Sequence, residues 1–462
     1  MARRDTDMTQ GEIWRHFVRF SVPLAIGLLF QQLYNTVDSV VVGQYVGKEA
    51  LAAVGSTGSI INMLIGLFNG LSVGAGVVIS QSFGSHDMPR LRRAVHTTVA
   101  VTFVLCAVAT ALGLCIVRPM LQMMQTPDDV MGEASRYLTI YFAGISGLLV
   151  YNMGSAILRA VGDSRRPLYF LVFSALTNTL LDLLFVIVFR LGVAGVALAT
   201  IIAQGLSAVL VLATLTREKG DYGIRWKQLG ISREELKQVF NVGAPSAVQQ
   251  ALTSFSNVFV QSYINAFGSA GMAGWSGYNK LDAFLTVPVM AIAQASTTFV
   301  GQNWGARKPE RARQGVRLAL LLAVGCTIVL TILMLLFARP LMGLFSNEAD
   351  VIDYGVRYIQ LITPFYVTIC FNQIFGGALR GIGNARGPML IMLGSFVVFR
   401  QIYLYVTHLL GLGFVAVALA YPMGWVVCSS CLTITYLRSP LYHANRRLER
   451  AGRGQKGIGN ER

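Results

Sequence analysis

Shifted by 221 residues, the sequence falls on itself. Arg118-Pro119 lands on Arg339-Pro340, Asp129-Val130 on Asp350-Val351, and Arg136-Tyr137 on Arg357-Tyr358. LRAVGDSRRP (158–167) lands on LRGIGNARGP (379–388), GVAGVALA (192–199) on GFVAVALA (413–420), and QSFGS (81–85) on QNWGA (302–306). The register holds without a gap from Gly47 to the end of the first half, and about a one-residue adjustment brings Pro23 onto Pro245. Whatever the first half folds into, the second half must fold into as well.

Each half is built from long apolar runs. The chain is 54% hydrophobic and 13% charged, with a mean hydropathy of +0.56, whereas a soluble domain carries about 25% charge. Runs of about 20 apolar residues cross a bilayer as helices, which satisfy their own backbone polar groups. Twelve spans are expected, at roughly 16–45, 50–80, 92–117, 134–160, 167–189, 192–215, 236–266, 272–302, 313–338, 354–380, 388–409 and 413–437. The fold class is an all-α polytopic membrane protein of two six-helix lobes. Six is even, so both lobes enter from the same side, and their pseudo-twofold axis lies along the membrane normal. The expected organisation is a tail (1–15), an N-lobe (16–216), a linker (217–235), a C-lobe (236–437) and a basic tail (438–462). The opening MARRDTDMTQGEIWRHF lacks the apolar core and cleavage site of a signal peptide, so the first span is expected to be retained.

The net charge of +16 is distributed by loop. Thirty of the 38 Lys and Arg fall on one set of loops and the tails, six on the opposite set, and Lys280 and Arg400 fall inside spans. That asymmetry reads as topology, with both termini cytoplasmic in a cell membrane (an inner membrane where there are two). It gives no reason to expect nucleic acid as a partner, while contact with anionic membrane lipid follows from it. Six cysteines are scattered through the spans, and Cys428-Ser-Ser-Cys431 reads as small packing residues. No nucleophile triad, metal-spaced Cys/His set or phosphate-cradling loop is visible, so no enzyme and no cofactor is expected. The glycines of GLSVGAG (70–76) and GGALRGIG (376–383) suit close helix packing.

Charges inside spans are costly, roughly 2.5–3.5 kcal/mol on insertion scales, and default to function. Gln31, Asn35 and Asp38 share one face of the first span; Ser174, Asn178 and Asp182 share one face of the fifth. With Asn152 on the fourth span and Thr200 on the sixth, they form an oxygen-rich set. Such a set suits a hard cation such as Na⁺, with Asp38 and Asp182 as ligands, or a proton. The repeat is an internal control: Asp38, Asn178, Asp182 and Thr200 correspond to Phe259, Phe399, Tyr403 and Tyr421, and only Asn152 meets a polar residue, Gln373. The reading is a division of labour, with an ion site in the first lobe and an aromatic surface in the second. The competing reading makes the two acids caps for nearby donors. Gln31, Asn35, Gln249, Phe259, Asp282 and Tyr403 are the expected substrate-facing positions. Asp282, Lys280 and Arg400 read first as an internal ion pair, and Pro23 as a hinge or a fixed kink.

These features together resemble the multidrug and toxic compound extrusion family over residues 10–440. The resemblance rests on the repeat, on the first-span proline followed by NTVDSVVVG, on QSFGS and VGQNWGA, and on LRAVGD and LRGIGN. It implies a secondary antiporter that exports drugs and organic cations against Na⁺ or H⁺, with no other cofactor, working as a monomer and contributing to antibiotic resistance. It is nearest the DinF-like branch, whose cation-site residues match Asp38, Asn152, Asn178, Asp182 and Thr200, and whose kinking proline matches Pro23. The other branch carries acids on the seventh and tenth spans, and none stands there in this chain. The alternative is a flippase for lipid-linked oligosaccharides from a related two-lobed family, which would need Lys280 and Arg400 to face an open cavity.

Overall fold

A computed structural model describes residues 6–41, 45–46, 48–123, 126 and 128–443, without the side chains at 35, 37–41, 48–56, 59–60, 62–63 and 128–129. The described residues contain helices and no strand. The first half runs α1 (Ile13–Val41), α2 (Lys48–Gly84), α3 (Met88–Met123), α4 (Asp128–Ala143), α5 (Ile145–Ala160), α6 (Arg165–Leu183) and α7 (Val193–Arg217). The second half runs α8 (Arg233–Asn265), α9 (Gly268–Gly305), α10 (Pro309–Leu336), α11 (Ala338–Gly343), α12 (Ala349–Ile362) and α13 (Tyr366–Gly381). It ends with α14 (Arg386–Leu393), α15 (Arg400–Leu409), α16 (Phe414–Ala418) and α17 (Ala420–Arg438).

Among the described residues, ten spans are long and apolar enough to cross a membrane, and α4 with α5, bent by 47°, make an eleventh. The remaining expected span, the seventh at 236–266, corresponds to α8. Its 33 residues are ample for a bilayer, but Glu234, Glu235, Lys237, Asn241, Gln249 and Gln250 make it more polar than the others. The break between α4 and α5 recurs in the repeat. Gly144 interrupts the fourth span, and a Cβ there would stand 2.4 Å from Ile201 on α7. In the tenth span the same place is a 3₁₀ turn, Thr363–Phe365, with Pro364 inside it. Proline removes a backbone donor, so two different residues produce one architectural break.

The chain packs as two compact units. One comprises Val22–Phe83 and Asp87–Ser254; the other comprises Asp7–Ser21, Gly84–His86 and the residues from Phe255 onward. The division thus falls inside α1, one residue before Pro23, and inside α8. In the first unit α2 crosses α8 at backbone contact. A Cβ on Gly70 would lie 2.2 Å from the Ala247 nitrogen, and one on Gly74 would lie 2.4 Å from the Val239 oxygen. Only glycine permits that approach, which accounts for the GLSVGAG stretch.

The linker is laid against the first unit. The Arg225 and Ser232 amides donate to His96 Nε2 and Thr97 Oγ1, each at 3.0 Å. Asp163, in the first LRAVGD motif, accepts the Arg165 and Arg166 amides at 3.0 and 3.1 Å and starts α6. Arg166 then pairs with both Asp163 (3.0 Å) and Glu218 (3.2 Å). Burial raises the Glu218 pKa, but hydrogen bonds from Tyr222, Arg166 and the Gly220 amide outweigh it and hold the carboxyl below its ordinary value.

In the second unit the residues ahead of α1 are strapped down by the QNWGA motif and the basic residues after it. Gln302 Oε1 accepts the Met8 amide at 2.9 Å, and Asn303 Nδ2 donates to the Met8 carbonyl at 3.3 Å. Lys308 Nζ donates to the Thr9 carbonyl at 3.0 Å, and Arg311 Nη2 to those of Gln10 and Gly11 at 2.9 and 2.8 Å. Gln302 and Asn303 are fully buried. Their amides recognise backbone, which explains why this polar motif stands at the end of an apolar span.

Candidate functional site

The site expected in the first half is carried by helices that pack on one another. α7 packs against both α5 and α6. Asn152 stands half-buried on α5, Asn178 and Asp182 on α6, and Thr200 on α7. Asn178, Asp182 and Thr200 are 2%, 0% and 8% exposed. Ser174, one turn before Asn178, bridges α6 to α7 by donating to the Ala203 carbonyl at 2.9 Å. Thr200 Oγ1 donates to Val196 O at 3.0 Å, which leaves its oxygen lone pairs for another partner. Asn178 is the most informative of the set: among the described residues neither its Oδ1 nor its Nδ2 has a hydrogen-bond partner, and both are shut away from water. Leaving one buried polar atom unsatisfied costs about 1–3 kcal/mol. A π-helical turn, Leu184–Val188, follows directly after α6 and the Asp182 turn, and such turns are frequent at functional sites.

Asn35 and Asp38 belong to α1, but their side chains lie outside the described residues. Pro23 lies within α1, half-buried, and Gln31 is exposed. Among the described residues no cluster of three His, Cys, Asp or Glu exists.

The substrate-facing positions are dispersed. Gln249 is half-buried on α8; Phe259, also on α8, is 49% exposed and meets Phe255 edge-on at 5.1 Å. Tyr403 is half-buried on α15, 6.4 Å from Phe399. The expected internal ion pair does not form. Asp282 accepts a hydrogen bond from the Tyr366 hydroxyl. Arg400 is 3% exposed and donates to Ser256 Oγ and Asn257 Oδ1 at 2.9 and 2.8 Å, with its guanidinium 4.8 Å from the Tyr421 ring centre. Lys280 stands over the Phe345 ring at 5.7 Å. Aromatic faces and neutral oxygens do for these cations what the acid was expected to do. The sequence alone does not single out Tyr278 or Tyr366. Tyr278 is within reach of such a reading, since it precedes Asp282 by one helical turn, but nothing local points to Tyr366 on another helix.

A family model described as MatE matches the chain twice, over residues 23–184 and 245–406. The chain belongs to the MatE family. The two matches start at Pro23 and Pro245, the prolines that the one-residue adjustment of the internal repeat brings together. This MatE protein is a multi-pass membrane transporter and not an enzyme. It is similar to a probable multidrug resistance protein, YpnP, of Bacillus subtilis, at 29% identity over 94% of this chain and 96% of the relative. It is also similar to a FAD transporter of Shewanella oneidensis, at 25% identity over 83% of this chain and 86% of the relative. Among solved structures it resembles a MOP superfamily transporter from Pyrococcus furiosus, with a TM-score of 0.90 and 25% identity over 96% of this chain and 99% of that one. The binding pocket of that transporter is described as having a reverse polarity that suggests a different function. Related MATE structures share the fold of two six-helix lobes.

Proposed function

We propose that this MatE protein is a secondary active multidrug antiporter. It exports organic compounds, cations among them, in exchange for Na⁺ or H⁺, by alternating access between the repeats 16–216 and 236–437. The observation that carries this is the buried, oxygen-rich set of Asn178, Asp182 and Thr200 on two packed helices, replaced in the second half by Phe399, Tyr403 and Tyr421. A set that only supported the fold would serve both halves. The multidrug-resistance relatives support small-molecule export.

In this reading Asp182 and Asp38 are charged in one state and neutralised by the ion in the other, with Asn152, Asn178 and Thr200 completing the site. Asn178, with two atoms unpartnered among the described residues, gains the most from an arriving cation or a rearranged neighbour. Pro23 acts as the hinge: it leaves the Arg19 carbonyl without its helical donor, close to where α1 passes from one packed unit to the other. Both termini and the linker are cytoplasmic, and the monomer suffices. One charge crossing 100 mV supplies roughly 2.3 kcal/mol. At about 1.4 kcal/mol per tenfold, that sustains a drug gradient of about fifty-fold.

The test is efflux of a fluorescent organic cation from proteoliposomes, with the Na⁺ and pH gradients imposed separately. Efflux driven by one of the two supports the reading and names the ion. Efflux indifferent to both, under a full membrane potential, contradicts it.

A further inference from the structure

The second unit holds an intramembrane acid that the proposed coupling site does not use. Asp282 stands on α9, one turn beyond Tyr278, and Tyr366 reaches it from the start of α13. The Tyr366 hydroxyl donates to Asp282 Oδ1, and the Tyr278 and Tyr366 hydroxyl oxygens lie 2.7 Å apart. Tyr366 has one proton, spent on the carboxylate, so Tyr278 must donate to Tyr366. The result is a directed chain, Tyr278 to Tyr366 to Asp282. Tyr278 and Tyr366 are 2% and 1% exposed, while Asp282 is half-buried.

Among the described residues no internal counter-charge stands against Asp282. Among the described residues neither Lys280 nor Arg400 lies within ion-pair distance of Asp282, and each has its own aromatic partner. The titratable and charged groups that face the chain are Tyr358 from α12, Tyr421 from α17 and, behind the Tyr421 ring, Arg400 from α15. Trp275 packs on both Tyr278 and Tyr421, at 5.1 and 5.2 Å, so the walls are ring surfaces. A metal ion needs some six oxygen lone-pair ligands. Here Tyr366 donates to the acid and Tyr278 to Tyr366, and two hydroxyl oxygens with one carboxylate fall short of that number. The site has one carboxylate, held by a hydroxyl and only half-buried.

We propose that Asp282 is a second proton-binding site of this transporter, independent of the oxygen-rich set in the first unit and indifferent to Na⁺. A proton from water adds to the free carboxylate oxygen while Oδ1 keeps the Tyr366 hydrogen bond. The charge is lost without breaking the tyrosine chain, and the adjoining Tyr421 and Trp425 surface then faces a neutral group. The proposal does not rest on the coupling role of Asp38 and Asp182.

The experiment is infrared difference spectroscopy on the full-length protein in liposomes, between mildly alkaline and mildly acidic buffer. It is run in an Asp38→Asn/Asp182→Asn background, which removes the first-unit acids. The expected result is an acid-induced carboxylic carbonyl band that disappears with Asp282→Asn, shifts to higher frequency with Tyr366→Phe, and is unchanged when Na⁺ replaces K⁺. A spectrum identical with and without Asp282→Asn, in a variant that melts like its parent, overturns the proposal. So does a band abolished by Na⁺. If Asp282→Asn does not fold, Tyr366→Phe decides alone, and an unshifted band refutes the assignment. The first-unit acids are absent throughout, so failure here leaves the antiport reading standing, and failed ion-driven efflux leaves this site standing.

Discussion

Replacing Asn178 by leucine separates a coupling residue from a structural one. The two side chains have the same branched outline, and the position is 2% exposed. Among the described residues Asn178 holds two buried polar atoms without hydrogen-bond partners, each a burden of about 1–3 kcal/mol. Leucine removes both at once at a buried position. Even the smaller cost, counted once, corresponds to a roughly fivefold shift of the folding equilibrium at about 1.4 kcal/mol per tenfold. Asn178→Leu should therefore express normally and melt at a higher temperature in detergent than the parent protein. In proteoliposomes it should lose ion-driven efflux, because an oxygen ligand has gone from the site. A lowered melting temperature would show that the amide has a structural partner. A stable variant with intact, ion-dependent efflux would remove Asn178 from the coupling set.

Three further outcomes are expected. Glu218 is held below its ordinary value of 4.5 in the folded chain, so it contributes stability that is present above that pH and lost as pH falls through its lower folded value. Glu218→Gln should then melt lower than the parent at neutral pH, with the gap closing below 4.5; a gap that persists in acid would refute this. With thirty of 38 basic residues on one set of loops, a cysteine at Lys219 should be labelled by an impermeant reagent only after cells are opened, and labelling of intact cells contradicts the topology. Asp38→Asn should fold and still bind drug, since it removes a costly intramembrane charge, yet its drug affinity should stop responding to Na⁺ or pH; a poorly expressed, unstable variant would instead make Asp38 a cap.

Much of this architecture can be read without coordinates, because apolar period and self-similarity are local or simply offset in register. The shared face of Asn178 and Asp182 follows from one helical turn, and their burial on α6 agrees with it. The α8 span is recognisable through its repeat partner, where its own composition is too polar to declare it. What cannot be read depends on which helix meets which. A 3.6-residue period says that Arg400 needs a partner; it does not say that Ser256, Asn257 and the Tyr421 ring supply it. Opposite charge within the membrane suggests an ion pair with Asp282, and the Tyr366 hydroxyl takes that place. In the same way QNWGA is visible as a motif, but its task, binding the backbone of Met8 through Gln302 and Asn303, joins residues 294 and 295 positions apart.

The central claim is that one half couples the ion and the other does not. Its most direct measurement is drug efflux from proteoliposomes by two variants at equivalent positions of the repeat, Asp182→Asn and Tyr403→Phe, under an imposed ion gradient. The account predicts that Asp182→Asn reduces the drug gradient from about fifty-fold, the limit for one charge at 100 mV, to none. It predicts that Tyr403→Phe keeps full ion dependence and changes at most the preference among drugs. Equal loss of ion dependence in both variants, or full coupling in Asp182→Asn, would contradict it.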